Sequence, residues 1–85
     1  MKPEEQRIAI HSVCHHLPTW DSECDPLDSL DAMHIAEDVL TPMQQFLFFN
    51  FLAEGICKNR WEILHSTAAQ RAEAFLRALS LWRDE

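Results

Sequence analysis

Side chains of the types that bind zinc occur close together near the N-terminus: His11, Cys14, His15, His16 and Cys24. His11 and His15 are four residues apart, which places two imidazoles on one side of a helix, as helical zinc sites require. However, the chain contains no CxxC pair, Cys14 belongs to an apolar stripe, and Cys24 lies in a polar stretch. We interpret the cluster as a surface histidine pair beside a core cysteine and expect no cofactor. Zinc bound by His11, His15 and Cys24 is the alternative.

A second group of residues could carry out acid–base chemistry. Asp31, His34 and Asp38 recur at helical spacing, and a carboxylate beside a histidine can orient it as a general base. A solvated helix face explains the same pattern, and no nucleophile or oxyanion motif lies nearby in the sequence. We therefore predict that the chain is not an enzyme.

The elements that position these side chains are predicted to be helices. Gly55 is the only glycine, and hairpins and phosphate-binding loops require glycine for their tight turns. The pattern predicts an all-α fold, a small bundle of about four helices in a single domain spanning residues 1–85. The alternative is an α+β fold with a short strand near Trp61–Leu64.

Start signals and apolar periodicity place the four helices. Pro3 begins the first and Asp25–Pro26 the second, and capping boxes begin the other two at Thr41 and Thr67. The predicted ranges are 3–16, 26–40, 42–56 and 67–82. The last of them, from Thr67 to Trp82, is the clearest amphipathic helix in the sequence.

The third predicted helix is apolar on nearly every side. Such a helix is either buried or placed at an interface, so we expect it to be the central element of the fold. A chain of 85 residues can hardly enclose every side of it. We therefore expect some of its side chains to form a homodimer or partner-binding face: Phe48, Phe51 and Leu52.

The composition is globular and acidic. Fourteen acidic and seven basic residues give a formal net charge of −7, which disfavours direct binding to nucleic acid and to anionic membranes. An acidic surface suits a basic protein partner, including a host protein whose own role is to bind nucleic acid. The carboxylates expected to form this acidic, partner-binding face are Asp21, Glu23, Asp25, Asp28, Asp31 and Asp38.

Cysteine usage and hydropathy favour a cytoplasmic protein. Three irregularly spaced cysteines are not typical of a disulfide framework, and the N-terminal segment MKPEEQR leads into no apolar signal region. The longest apolar stretch, Phe46 to Ala53, is far shorter than the roughly 18 residues that a membrane span requires. We expect neither export nor membrane anchoring.

Three blocks of the sequence resemble small bacteriophage and prophage proteins: KPEEQRIAI, LDAMHIAEDVLTP and, most specifically, STAAQRAEAFLRALSLW. Some of these proteins are grouped as phage ABA sandwich domain proteins, and their function is largely uncharacterised. Members usually carry a strand-forming region between the first helix and the block matching Leu30 to Pro42. This chain has a short histidine- and cysteine-bearing loop there. The resemblance implies a phage or mobile-element origin and no catalytic residues.

Together these observations predict a small acidic interaction protein that acts by stoichiometric protein binding in a bacterial host. Inhibition of a host defence complex, in the manner of anti-CRISPR proteins, would fit the small size and the acidity. A zinc-stabilised regulatory or adaptor domain is the alternative function.

Overall fold

The computed structural model describes residues 1–20, 24–56, 59, 61 and 65–83, and these form a bundle of four α-helices. The helices are α1 (Pro3–Cys14), α2 (Leu30–Glu37), α3 (Pro42–Asn50) and α4 (Ala68–Ala78). A π-helical segment, Phe51–Ile56, continues α3. The described residues contain no strand, and the predicted all-α fold is confirmed.

The alternative strand near Trp61–Leu64 falls mostly on residues outside those described. Trp61 itself is helical, and its carbonyl accepts a hydrogen bond from the N–H of His65 at 3.1 Å. This i to i+4 bond is that of a helical turn. It does not belong to a strand ladder.

Capping boxes begin α3 and α4, as the sequence predicts. At α4, the Thr67 hydroxyl accepts from the Gln70 N–H at 3.1 Å, while Gln70 Oε1 accepts from the Thr67 N–H at 2.8 Å. Thr41 and Gln44 make the same reciprocal pair at α3. Two donors that a helix start leaves unsatisfied are paired in each case, which fixes both boundaries.

The predicted start of α2 at Pro26 is wrong, because α2 begins at Leu30. Asp25 Oδ1 accepts a hydrogen bond from the Leu27 N–H, and the Asp25 carbonyl accepts from the Ser29 N–H at 2.9 Å. These bonds close a turn before the helix. Ser29 then caps α2 by accepting from the Ala32 N–H.

The central element is α4, which packs against α1, α2, α3 and the π-helical segment. The expectation that the third helix occupies this position is therefore wrong. Four alanines of α4 are buried, and their small side chains let neighbouring helices approach from several directions: Ala68, Ala72, Ala74 and Ala78. No residue of α3 is fully buried.

Two clusters of buried side chains lie on either side of α4. The larger one joins α4 to α1, to the loop that follows α1 and to α2, through Phe75, Ile10, Trp20 and Met33. The smaller cluster consists of Leu52 and Ala74, with Phe48 and Ile56 packed against them.

The π-helical segment aligns the smaller cluster. Phe48, Leu52 and Ile56 are spaced four residues apart, a spacing that overshoots a full α-helical turn by about 40° at each step. The wider i to i+5 turn from Phe51 to Ile56 opposes this drift. All three side chains therefore reach the Ala74 side of α4.

A Schellman motif ends α4 at Ala78, so the predicted continuation of the helix to Trp82 is wrong. The Leu81 N–H bonds the Leu76 carbonyl at 2.8 Å, and the Ser80 N–H bonds the Arg77 carbonyl at 3.1 Å. The reversal returns Leu81 and Trp82 to the larger cluster, and the Arg77 guanidinium lies 5.0 Å from the centre of the Trp82 ring.

Replacing Ser80 with glycine is expected to stabilise the chain. Ser80 has a φ of 60°, a left-handed conformation that is unfavourable for a residue with a Cβ atom. Glycine relieves the steric cost of this conformation, but it loses more backbone entropy on folding than serine does, which offsets part of the gain. The free energy of unfolding should therefore rise by about 1 kcal/mol. The melting temperature should rise by about 4–8 °C.

The matched control for this change is Ser12→Gly, since Ser12 is an exposed residue inside α1. There glycine adds backbone flexibility and removes the hydrogen bond that Ser12 Oγ donates to the Ala9 carbonyl at 2.7 Å, so the melting temperature should fall. A lower melting temperature for both variants would contradict the left-handed geometry at Ser80.

Candidate functional site

The outer side of α2 carries exposed carboxylates. Asp31 and Asp38 are two helical turns apart, about 10 Å along the axis, and both are exposed. The opposite side of α2 is buried in the larger cluster through Ala32, Met33 and Ala36. Because that packing fixes the rotation of α2, the two carboxylates are held facing solvent.

Asp25 has a structural role that the sequence did not reveal. Its Oδ1 accepts hydrogen bonds from Arg7 Nε of α1 and from the Leu27 N–H, both at 3.0 Å. Desolvation raises the pKa of Asp25, but the hydrogen bonds from Arg7 and Leu27 outweigh it, and the pKa lies below its ordinary value. The Asp25 carboxylate is thus engaged in hydrogen bonds within the chain, and we do not count it with the exposed acids.

The neighbouring Asp28 is exposed and lies 3.9 Å from Arg7, a long and weak ion pair. Asp21 and Glu23, also predicted to belong to the acidic face, lie outside the described residues. We use the name α2 carboxylate face for the exposed acids Asp28, Asp31 and Asp38.

Several cationic side chains are neutralised within the chain. Arg71 of α4 pairs with Glu37 of α2 at 2.7 Å, and both side chains are largely shielded from solvent. Arg77 pairs with Glu73 at 3.0 Å. Within the part of the chain that the structure describes, Asp31 and Asp38 make no ion pair. The field at the α2 carboxylate face is therefore negative.

A second exposed surface lies on α3 and on the first residue of its π-helical continuation. Met43 is 70 % exposed, Phe46 63 % and Phe49 55 %, and Leu47 and Phe51 are also exposed. We use the name α3 apolar face for these five residues. Of the three residues predicted for such a face, only Phe51 belongs to it.

The other two residues of that prediction point into the fold. Leu52 is 1 % exposed in the smaller cluster, and half-buried Phe48 packs against both clusters. The prediction of Leu52 as an exposed interface residue is therefore wrong in this chain. Because the helix is apolar on nearly every side, its apolar pattern does not distinguish buried positions from exposed ones. The four-residue spacing of Phe48, Leu52 and Ile56 is the sequence signal that these three side chains share one side of the helix.

The histidine and cysteine cluster does not converge on one point. His11 and His15 are neighbours, with ring centres 6.3 Å apart. His11 Nδ1, however, accepts a hydrogen bond from Trp20 Nε1 at 3.0 Å, and His15 Nδ1 donates to the Ser12 carbonyl at 2.9 Å. Among the described residues, no three His, Cys, Asp or Glu side chains are arranged to hold a metal ion.

The Cys14 thiol is part of the packing. Burial, together with the nearby Cys24, raises the pKa of Cys14 to about 11, so the thiol is protonated at neutral pH. A protonated, buried thiol is neither a good metal ligand nor a good nucleophile. This environment matches the interpretation of Cys14 as a core cysteine.

A groove of about 380 Å³ lies between α1 and the loop that follows it. Its walls include Arg7, His11, Trp20 and Cys24. The volume would suit a small ligand. However, the Arg7 and His11 side chains in its walls already have partners within the chain, since Arg7 donates a hydrogen bond to Asp25 and His11 accepts one from Trp20. The groove therefore offers few free polar contacts that would select a ligand.

The geometry does not support the acid–base alternative at His34. This residue is exposed on α2, and no hydrogen bond within the described part of the chain joins it to Asp31 or Asp38. A general base needs a fixed orientation beside its substrate. His34 has neither an orienting partner nor a cleft among the described residues.

No described helix has the length and apolarity needed to cross a bilayer. No protein-family model, curated protein or solved structure matches this chain. The resemblance to small phage proteins therefore remains a prediction, and function has to be inferred from the two exposed surfaces.

Proposed function

We propose that this chain is a non-enzymatic interaction protein of phage or mobile-element origin that binds a basic protein partner stoichiometrically in the bacterial cytoplasm. The observation that carries the proposal is the α2 carboxylate face. Its acids are exposed, while Arg7, Arg71 and Arg77 are engaged in ion pairs within the chain.

Electrostatics supports a basic partner over a neutral one. A net charge of −7 accelerates encounter with a positive surface, and complementary charges fix the orientation of the complex. Lysine and arginine side chains that hold nucleic acid are arranged to meet anions, so surface carboxylates can occupy them in competition with phosphate. A host defence complex that binds nucleic acid is a partner of this kind.

Charge removal on the α2 carboxylate face tests the proposal. The double variant Asp31→Asn/Asp38→Asn changes the net charge by two without altering side-chain shape. Tagged wild-type chain should recover one partner at a fixed molar ratio from bacterial lysate, and the variant should recover at least about tenfold less, or 1.4 kcal/mol. Recovery should also fall as salt is added.

Glu5→Gln/Glu54→Gln is the matched control, because it removes the same charge from exposed positions on α1 and the π-helical segment. Its recovery of the partner should stay close to that of the wild type. Equal losses in both double variants would mean that only net charge matters, and the assigned face would be wrong.

The defence-inhibitor form of the proposal has its own readout. Expression of the chain should restore plaque formation by a phage that the targeted defence system restricts, and Asp31→Asn/Asp38→Asn should abolish the rescue. Rescue by both proteins alike would overturn the role of the α2 carboxylate face.

A further inference from the structure

The five side chains of the α3 apolar face are all uncharged and all exposed. Met43, Phe46, Leu47 and Phe51 recur at three- and four-residue spacing along one side of α3 and its continuation, and Phe49 widens the stripe. Exposed apolar patches of this kind mark interaction sites. We propose that the α3 apolar face is a homodimer interface, with a second copy of this chain as its occupant. This inference is independent of the proposed function.

The exposed area is close to the minimum that a specific dimer requires. At about 200 Å² for each aromatic side chain, the exposed fractions of Phe46, Phe49 and Phe51 correspond to about 300 Å² of surface. Met43 and Leu47 bring the patch to about 500 Å². Complete coverage of the patch in both copies would bury at most about 1,000 Å², the lower limit for a specific interface, so the dimer should be weak and reversible.

The charge distribution favours a second copy over a basic partner at this position. The helix Pro42–Asn50 contains no charged residue, in a chain whose net charge is −7. Two such chains repel each other, and contact through α3, which itself carries no carboxylate, keeps that repulsion low. A basic partner would find no carboxylate on α3 to pair with.

The shape of the face also suits self-association. Two-fold symmetry requires one surface patch to be complementary to itself, and a single exposed helix meets this condition by packing against its own copy. In an antiparallel pair, the axis passes near the centre of the stripe, at Phe46 and Leu47. Aromatic pairing of Phe46 with its symmetry mate would then add to the area buried.

Solution mass, measured over a wide concentration range, tests the inference. The chain has a mass of 9.9 kDa. Wild type should approach twice this mass as its concentration rises, and Phe46→Glu should remain at the monomer mass throughout, because association would bury a carboxylate without a partner. A second variant, Phe49→Glu, should behave in the same way.

Ile8→Glu is the matched control. Ile8 on α1 is 66 % exposed, close to the value for Phe46, and the substitution makes the same change of charge. It should leave the dimer intact. Circular dichroism and melting of the dilute, monomeric proteins establish that each variant folds.

A wild-type mass of 9.9 kDa at every concentration would overturn the inference, since some other molecule would then have to cover the α3 apolar face. Dissociation of Ile8→Glu to the same extent as Phe46→Glu would also overturn it, because the effect would then come from charge alone.

Discussion

Replacing Phe75 with alanine is expected to lower the free energy of unfolding by about 3–5 kcal/mol. Phe75 is the largest of the fully buried side chains and lies in the cluster that α4 forms with α1 and α2. The substitution removes an aromatic ring from a site that the surrounding helices can only partly refill. A chain of this size has a total stability on the order of 4–13 kcal/mol, so much of it would be lost.

Urea unfolding followed by circular dichroism measures this loss. Phe46→Ala is the matched control, because Phe46 is the same residue type at an exposed position. It should cost little when measured at a concentration where the wild type is monomeric. Similar midpoints for Phe75→Ala and wild type would show that α4 is an appendage and not the centre of the fold.

Replacing Leu52 with alanine should have the second largest effect, about 2–5 kcal/mol. Leu52 is buried against Ala74, and among the described residues only Phe48 and Ile56 pack against this pair. The loss should appear even at concentrations where the chain is monomeric, because the contacts of Leu52 lie within one chain.

This concentration dependence separates the two roles that Leu52 could have. Met43→Ala serves as the control, since the Met43 side chain is 70 % exposed on the α3 apolar face. Its effect should disappear on dilution if that face is a dimer interface. An effect of Leu52→Ala that also disappears on dilution would restore Leu52 to the interface and contradict its burial.

Local signals in the sequence predicted those features whose physics is local. A capping box joins residues three apart, so the starts of α3 and α4 could be located from Thr41 and Thr67 alone. At Asp25–Pro26 a local signal was misleading. Asp25 can cap a helix or close a turn, and its bonds to Leu27 and Ser29 made the turn, leaving Ser29 to cap α2.

Features that depend on distant residues could not be predicted in the same way. Arg7 and Asp25 are separated by 18 positions, so their pairing depends on how α1 meets the loop. The apolar content of the third helix indicated burial, yet burial depends on which helix can be approached from several sides. The buried alanines let α4 take that position, and Phe46 and Phe49 of α3 stay exposed.

In the candidate site, too, the features that depend on local spacing were predictable and those that depend on distant contacts were not. The excess of acid was visible in the composition, and helical spacing correctly placed Asp31 and Asp38 on the outer side of α2. Helical spacing also predicted that His11 and His15 are neighbours, as they are in the structure. It could not show that Trp20 would bond His11, because the loop carrying Trp20 has no periodic pattern.

The position of α4 as the common packing partner has a consequence for synthesis on the ribosome. The principal contacts of α1 and α2 are with α4, which is translated after both of them. The N-terminal helices therefore lack their main partner while the chain is still being extended, and α3 emerges with its phenylalanines uncovered. Stable tertiary structure should form only once Trp82 has left the exit tunnel, and until then the apolar sides of α1 and α2 have no packing partner.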